Sequence, residues 1–504
     1  MYRINYIFFF LLLIIPIAIE AQSLKISDFD RGDTRDMNFD IIGKMNNNNI
    51  LVYKNIRSKH KIDIYDNEMQ TRETINLDFI PDRTFNIDFV AYPDFFYMVY
   101  QYQKGRILHC MTVKMDANAK RMTDPVEVDT TQIPVMTDNK IYTTIWSEDK
   151  QKIMLFKIQT RNQKFNLVTL LFDNEFTLVN KNRYVIDYNE RRDNYDNFLL
   201  ANDGTFVFTY DKQSGNRDNS NELGLIIKPP LQNLFTFQNI GLEEKYIDKV
   251  KLKIDNLNNR YIINTFYYKK NRGSIEGLFT YIWDKPHEKT FASQFTILYD
   301  SLRSEAKRDG MLRFAFDNFF IRQVVVKKDG GFILTAEDFT SEIRGNNNTW
   351  NRYDYLYNPY SLSSGNYYYN PYTGYYRPLS SFNNQSTRYY YENILVLSLS
   401  KTGKTEWSKV IQKDQFDDDE DNFMSFSTMN SGGELHFLFN SDKKNQIISD
   451  QSITPGGTIK RNPTLKSEQR GYEFMPALSK QVGANQIIIP CTYRNNICFA
   501  KVDF

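Results

Sequence analysis

Four histidines, His60, His109, His287 and His436, are the first candidates for catalysis or metal binding. They are scattered with no metal-ligand spacing, so each reads as a strand or turn residue. No G-x-S-x-G elbow, H-E-x-x-H helix, phosphate-binding loop or dinucleotide fingerprint occurs. Carboxylates are abundant, with 61 Asp and Glu, so an acid/base pair of the glycosidase kind stays open. Asp417 to Asp421 is an acidic run, but neighbours on a strand point apart and no D-x-D-x-D-G loop follows. It reads as a solvated loop. The three cysteines, Cys110, Cys491 and Cys498, lack the context of a nucleophile. Cys491 and Cys498 flank a turn at Arg494-Asn495-Asn496, so a cross-hairpin bridge and two free thiols are both open. Nothing in the chain calls for a metal or cofactor.

The richest chemistry is aromatic. An insertion at 344–391 holds Trp350, Tyr353, Tyr355, Tyr357, Tyr360, Tyr367, Tyr368, Tyr369, Tyr372, Tyr375 and Tyr376 among Asn, Ser, Gly and Pro. Rigid rings with a polar tip give contact area at low entropic cost, the composition of recognition loops. These residues are the expected partner-binding site. The expected partner is another protein, of the cell envelope if the export signal described below is used, with a glycan as the alternative.

The elements that hold such an insert follow from a period. Strand-like runs end at Asp66, Asp116, Asp173, Asp284, Asp450 and Asp503, with Leu225–Lys228 and Leu395–Leu399 filling the two wide gaps. The spacing is about fifty residues, the length of a multi-stranded propeller blade. Apolar runs joined through Asn202-Asp203-Gly204, Asp329-Gly330-Gly331 and Ser431-Gly432-Gly433 are expected hairpins with primed turns. A more polar fourth strand follows each marker, as at Thr74–Phe79 and Thr405–Ile411. Ser301–Arg308 reads as a short helix between blades.

The fold expected is therefore all-β, a closed β-propeller of eight blades, with seven possible. The last unit lacks a fourth strand, so Ser23–Ser27 is expected to pair onto it and close the ring, hiding edge strands. The insert joins the second and third strands of its blade. It leaves from the same end as the links between blades.

Arg3, the apolar run Ile7–Ile15, Pro16 and Ala21 compose an export signal over 1–21, leaving a propeller domain at 22–504. No later stretch is apolar enough to span a bilayer. Lys and Arg number 63, close to the acidic count, so no single-sign field points to nucleic acid.

Two resemblances are visible. Thr402-Gly403-Lys404-Thr405-Glu406-Trp407 is similar to the docking repeat of quinoprotein propellers, but it occurs once and reads as a shared hairpin solution. Val324–Glu337, the Tyr-rich insert, Ile394–Leu399 and Glu406–Ile411 resemble a family of uncharacterised exported propeller-like proteins. Those come from bacteria with type IX secretion and gliding machinery. The likeness covers about a hundred residues. It implies a periplasmic or outer-membrane-associated setting and carries over no catalytic residue. The function expected of the whole chain is a non-enzymatic, protein-binding platform, in one version associated with type IX secretion or outer-membrane assembly machinery. A glycan-binding or glycan-cleaving propeller is the alternative.

Overall fold

The structure is a computed structural model that describes residues 22–29, 37–56, 59–81, 84–133, 141–215, 218–307, 311–343, 349–350, 387–418 and 421–504. The expected export signal at 1–21 lies outside the described residues. Antiparallel strands dominate and form seven sheets. The nine-stranded sheet contains two consecutive up-and-down meanders, joined only where Ser220 pairs with Ile247. Eight meanders result, each running from a first strand at a sheet edge to an outer fourth strand.

The first meander shows why the residues sort this way. Ile50–Ile56 and Lys59–Tyr65 are almost wholly buried, whereas the fourth strand Thr71–Asn76 is exposed along most of its length. A middle strand covered on both faces carries an apolar run, and an outer strand facing water turns polar. The second meander repeats the plan with Phe95–Lys104 and Ile107–Asp116 inside. The fifth and eighth split their first strand. Tyr246–Ile247 and Lys251–Asp255 both pair with Arg260–Tyr268. Tyr472–Phe474 and Lys480–Gly483 both pair with Gln486–Tyr493. The expected helix is present at Asp300–Ala306, in the link between the fifth and sixth meanders.

The turns explain the aspartate rhythm. Asp66 Oδ1 accepts the N–H groups of Glu68 and Gln70, and Asp116 and Asp173 do the same two and four residues on. An Asp at this position thus builds the turn with its own side chain. Two expectations need correction. Asp450 lies inside the strand Ile447–Ile453, and the turn comes later, at Thr454, whose Oγ1 accepts from Thr458 N. The loops at Gly204 and Gly330 are not primed turns. Gly204 N–H donates to Ala201 and Ala201 N–H to Thr205, so three loop residues need only one left-handed position, Gly204 at φ +86°. Gly432-Gly433 does form a two-residue primed turn, with φ of 58° and 81°.

Each meander buries its faces against its neighbours in chain order. Ile62 shares a core cluster with Phe96 and Val99 with Leu155, and the Phe156 and Phe206 rings lie 5.6 Å apart. Val207 shares a cluster with Tyr261, Ile262 with Leu334, and Val396 with Phe437. Leu438 shares a cluster with Ile489, and Ile488 and Phe499 of the eighth meander share one with Ile50 and Val52 of the first. The N-terminal strand Ser23–Ile26 lies along Asn496–Asp503, with Leu24 opposite Val502 and Ile26 opposite Ala500. It supplies the missing fourth strand of the last sheet.

Candidate functional site

The insert is rooted in an extended ladder. In the sixth meander the second strand, Phe332–Ile343, has 12 residues and the third, Thr387–Leu399, has 13. Their pairing shifts register between Glu337 and Phe339, then continues from Phe339 opposite Tyr391 to Ile343 opposite Thr387. A bulge of this kind re-aims the strands beyond it. Gln415–Asp418 pairs along Arg388–Tyr391 on one side, and Thr349–Trp350 pairs with Ser341 and Glu342 on the other. The result is an arm of four short strands beyond the blade-like sheet.

Of the expected partner-binding residues, Trp350 is placed by its backbone opposite Ser341. Tyr353, Tyr355, Tyr357, Tyr360, Tyr367, Tyr368, Tyr369, Tyr372, Tyr375 and Tyr376 lie outside the described residues.

Ions anchor the arm. Glu337 is fully buried and holds two cations: Lys413 Nζ at 2.9 Å from Oε1 and Arg322 Nε at 3.0 Å from Oε2. Ser425 Oγ donates to the same Oε2 at 2.6 Å. Lys413 also donates to the Tyr391 carbonyl and to Gln415 Oε1, both at 2.8 Å. Burial pushes the Lys413 ammonium down, and the Glu337 carboxylate opposes that shift. The Tyr391 hydroxyl donates to Asp421 at 2.9 Å, and its ring packs 4.6 Å from Phe339. A buried ion carrying two counter-ions and further hydrogen bonds is fixed in geometry, because any loosening strands a charge.

The outward side of the root is an aromatic surface flanked by cations. Phe416 is 40% exposed, with Arg388 5.1 Å and Lys443 5.6 Å from its ring centre. Arg388 is held by both Asp418 oxygens, at 2.7 and 3.1 Å.

A second group of charges lies among the first strands. These strands touch in chain order. Thr144 Oγ1 donates to Asp88 at 2.7 Å, Asn197 Nδ2 to the Val250 carbonyl at 3.1 Å, and Thr428 Oγ1 to Gln323 at 2.5 Å. Gln481 donates to the Asn430 carbonyl at 3.0 Å, and Lys480 of the eighth meander to the Ile41 carbonyl of the first at 2.6 Å. Lys251 opens the first strand of the fifth meander, with Leu252 and Ile254 turned into the core shared with the fourth. No hydrogen bond or ion pair holds its ammonium among the described residues. Loss of hydration on burial pushes the Lys251 ammonium down to about 8, with Asp196 opposing the shift and Arg322 and Lys253 adding to it. On the second strand of the fourth meander, Phe206–Gln213, burial pushes the Asp211 carboxyl up to about 7, against hydrogen bonds from Ser220 and Asn194. Burial also raises Asp40, where nearby Asp88 adds and Lys480 subtracts.

Elsewhere the side chains have structural work. The four histidines lie in separate contacts, with His60 against Tyr53, His109 against Glu127, His287 against Asp284 and His436 against Asp450. No group of three metal-binding side chains occurs among the described residues. Trp407 of the T-G-K-x-x-W segment donates Nε1 to the Pro455 carbonyl at 3.0 Å and lies against Gly457, tying the sixth meander to the seventh. The sequence reading missed Glu337, Arg322, Lys413 and Lys251. Arg322 and Glu337 did interrupt apolar alternation, which was the available signal.

No family model matches the chain. No curated protein matches it. Solved structures similar to it include the WD40 domain of SCAP from fission yeast, at 8% identity and TM-score 0.39 over 96% of both chains. Prolyl oligopeptidase B from Galerina marginata is similar at 10% identity and TM-score 0.42, over 92% of this chain and 56% of that one. The chain thus spans little more than half the oligopeptidase. Polysaccharide lyase Uly1 is similar at 11% identity and TM-score 0.40, over 82% of this chain and 89% of that one. These similarities carry no functional residue across.

Proposed function

We propose that the eight meanders are blades of a closed propeller, exported to the periplasm or the outer membrane, that docks another envelope protein without catalysing a reaction. Closure is supported by the cores that join every neighbour, the eighth with the first included, and by Ser23–Ile26 on the last sheet. Export and an association with type IX secretion or outer-membrane assembly machinery draw on the signal-like amino terminus and the resemblance above. The docking face is the end bearing the arm, with Trp350 and the tyrosines from Tyr353 to Tyr376 as its contacts. The observation that carries this reading is the ladder Phe339–Ile343 against Thr387–Tyr391, braced by Glu337, Arg322 and Lys413. A rigid root beneath aromatic contact residues is how a binding surface limits its entropy cost.

The glycan alternative draws on Asp40, whose carboxyl is raised by burial and further by the neighbouring Asp88 carboxylate. Affinity purification from cell envelopes, comparing the whole chain with a variant lacking 351–386, tests the reading. A co-purifying protein lost with the deletion supports it. An unchanged set of partners, or release of reducing sugar from envelope glycans, contradicts it.

A further inference from the structure

The hairpin that joins the chain ends contains two thiols facing each other. Cys491 lies in Gln486–Tyr493 and Cys498 in Asn496–Asp503, directly opposite in the antiparallel register. Arg494 and Asn495, with φ of 49° and 63°, make the two-residue turn that sets this register. A slip of one residue would send the thiols to opposite faces. Their sulfurs are 2.7 Å apart, and both residues are completely buried in the core shared by the seventh and eighth meanders. Phe474, Ile489 and Leu438 close the space around them.

We propose that Cys491 and Cys498 are oxidised to a cross-strand disulfide in the mature protein, and that the bond forms before this hairpin is packed. Each thiol gives up its proton. One thiolate attacks the disulfide of a thiol oxidoreductase, and the second displaces the reduced enzyme, which leaves as a dithiol with the two electrons. The Sγ–Sγ bond is the only bond made in this chain. Order follows from burial. Thiolate is the reactive species, and the packed core holds the Cys491 thiol far from ionisation while admitting no oxidant. Oxidation therefore belongs to the open hairpin. The proposal rests on the export reading, because oxidoreductases of this kind work outside the cytoplasm.

Cys110, buried in the second meander, is an internal standard. The protein is purified from exporting cells, acid-quenched, unfolded and alkylated with N-ethylmaleimide, then weighed intact. One adduct, on Cys110, on a chain whose amino terminus is Gln22 is the expected result. Three adducts on that processed chain overturn the disulfide while leaving export standing. Three adducts on a chain retaining residues 1–21 overturn export instead. The pair is then decided with leaderless protein refolded in oxidised and reduced glutathione. One adduct supports the disulfide, and three overturn it. The order is tested on folded, reduced protein exposed to oxidised glutathione. It should keep three adducts at least tenfold longer than the same chain in denaturant, and equal rates would overturn the ordering.

Discussion

Ser23 and Asp503 stand opposite each other, 480 positions apart in the chain, with the serine hydroxyl donating to the carboxylate at 3.2 Å. Around them the first strand is sewn to three meanders. Gln22 reaches Asp450 at 2.6 Å, Lys25 pairs with Glu68, and Ser27 N–H donates to Phe499 at 2.9 Å. Removing Gln22–Ser27 exposes the edge of Asn496–Asp503. The expected loss is several kcal/mol, above the roughly 0.5–3 kcal/mol of an ordinary substitution. Chemical denaturation checks this, and an unchanged midpoint would contradict ring closure through this strand.

Glu337→Gln leaves Arg322 and Lys413 without their carboxylate in a buried setting. We expect a loss of about 3–5 kcal/mol. Adding Lys413→Met should recover a substantial part, because one stranded charge is then gone. Denaturant melts of the single and double variants measure the coupling, and simple additivity would argue that the three do not act together.

Lys251 makes a pH-dependent cost. Its folded value of about 8 lies below the ordinary 10.5. The stability of the neutral form is present above 10.5 and is lost as pH falls through 8. Lys251→Met should therefore stabilise by about 1–2 kcal/mol at pH 6–7, after allowance for water around the group. The gain should shrink between pH 8 and 10.5. A gain independent of pH would mean that packing, not charge, is responsible.

Asp211 behaves in the opposite sense. Its folded value of about 7 is above the ordinary 3.8. Its stabilising contribution is complete below 3.8 and is lost as pH rises through 7. Asp211→Asn should raise stability at pH 8 and have little effect near pH 4. Thermal melts across that range read the difference, and equal effects at both ends would contradict the assignment.

Much of the architecture was legible because local chemistry repeats. Asp66, Asp116 and Asp173 each close a turn with their own carboxylate, so the rhythm of the sheets could be read from one residue type. The pairing of Ser23–Ile26 with Asn496–Asp503 was legible because the last unit shows three strands where the others show four. What escaped depends on partners distant in sequence. Glu337 meets Lys413 across 76 positions, and no local pattern announces that meeting. The merging of the fourth and fifth meanders through Ser220 and Ile247 hangs on one pair in an otherwise polar link. Lys251 looked like an ordinary strand lysine, since its setting comes from Asp196 and Arg322 on neighbouring strands. The tyrosines were legible by composition alone, which names a kind of surface and not its shape.

The docking face is tested most directly by photocrosslinking in living cells, with benzoylphenylalanine replacing Phe416 at the arm root or Leu231 in the turn at the opposite end of the sheets. Both positions are exposed, at 40% and 78%. A protein adduct forming through position 416 and absent through position 231 is the predicted outcome. Adducts through 231 alone would contradict it.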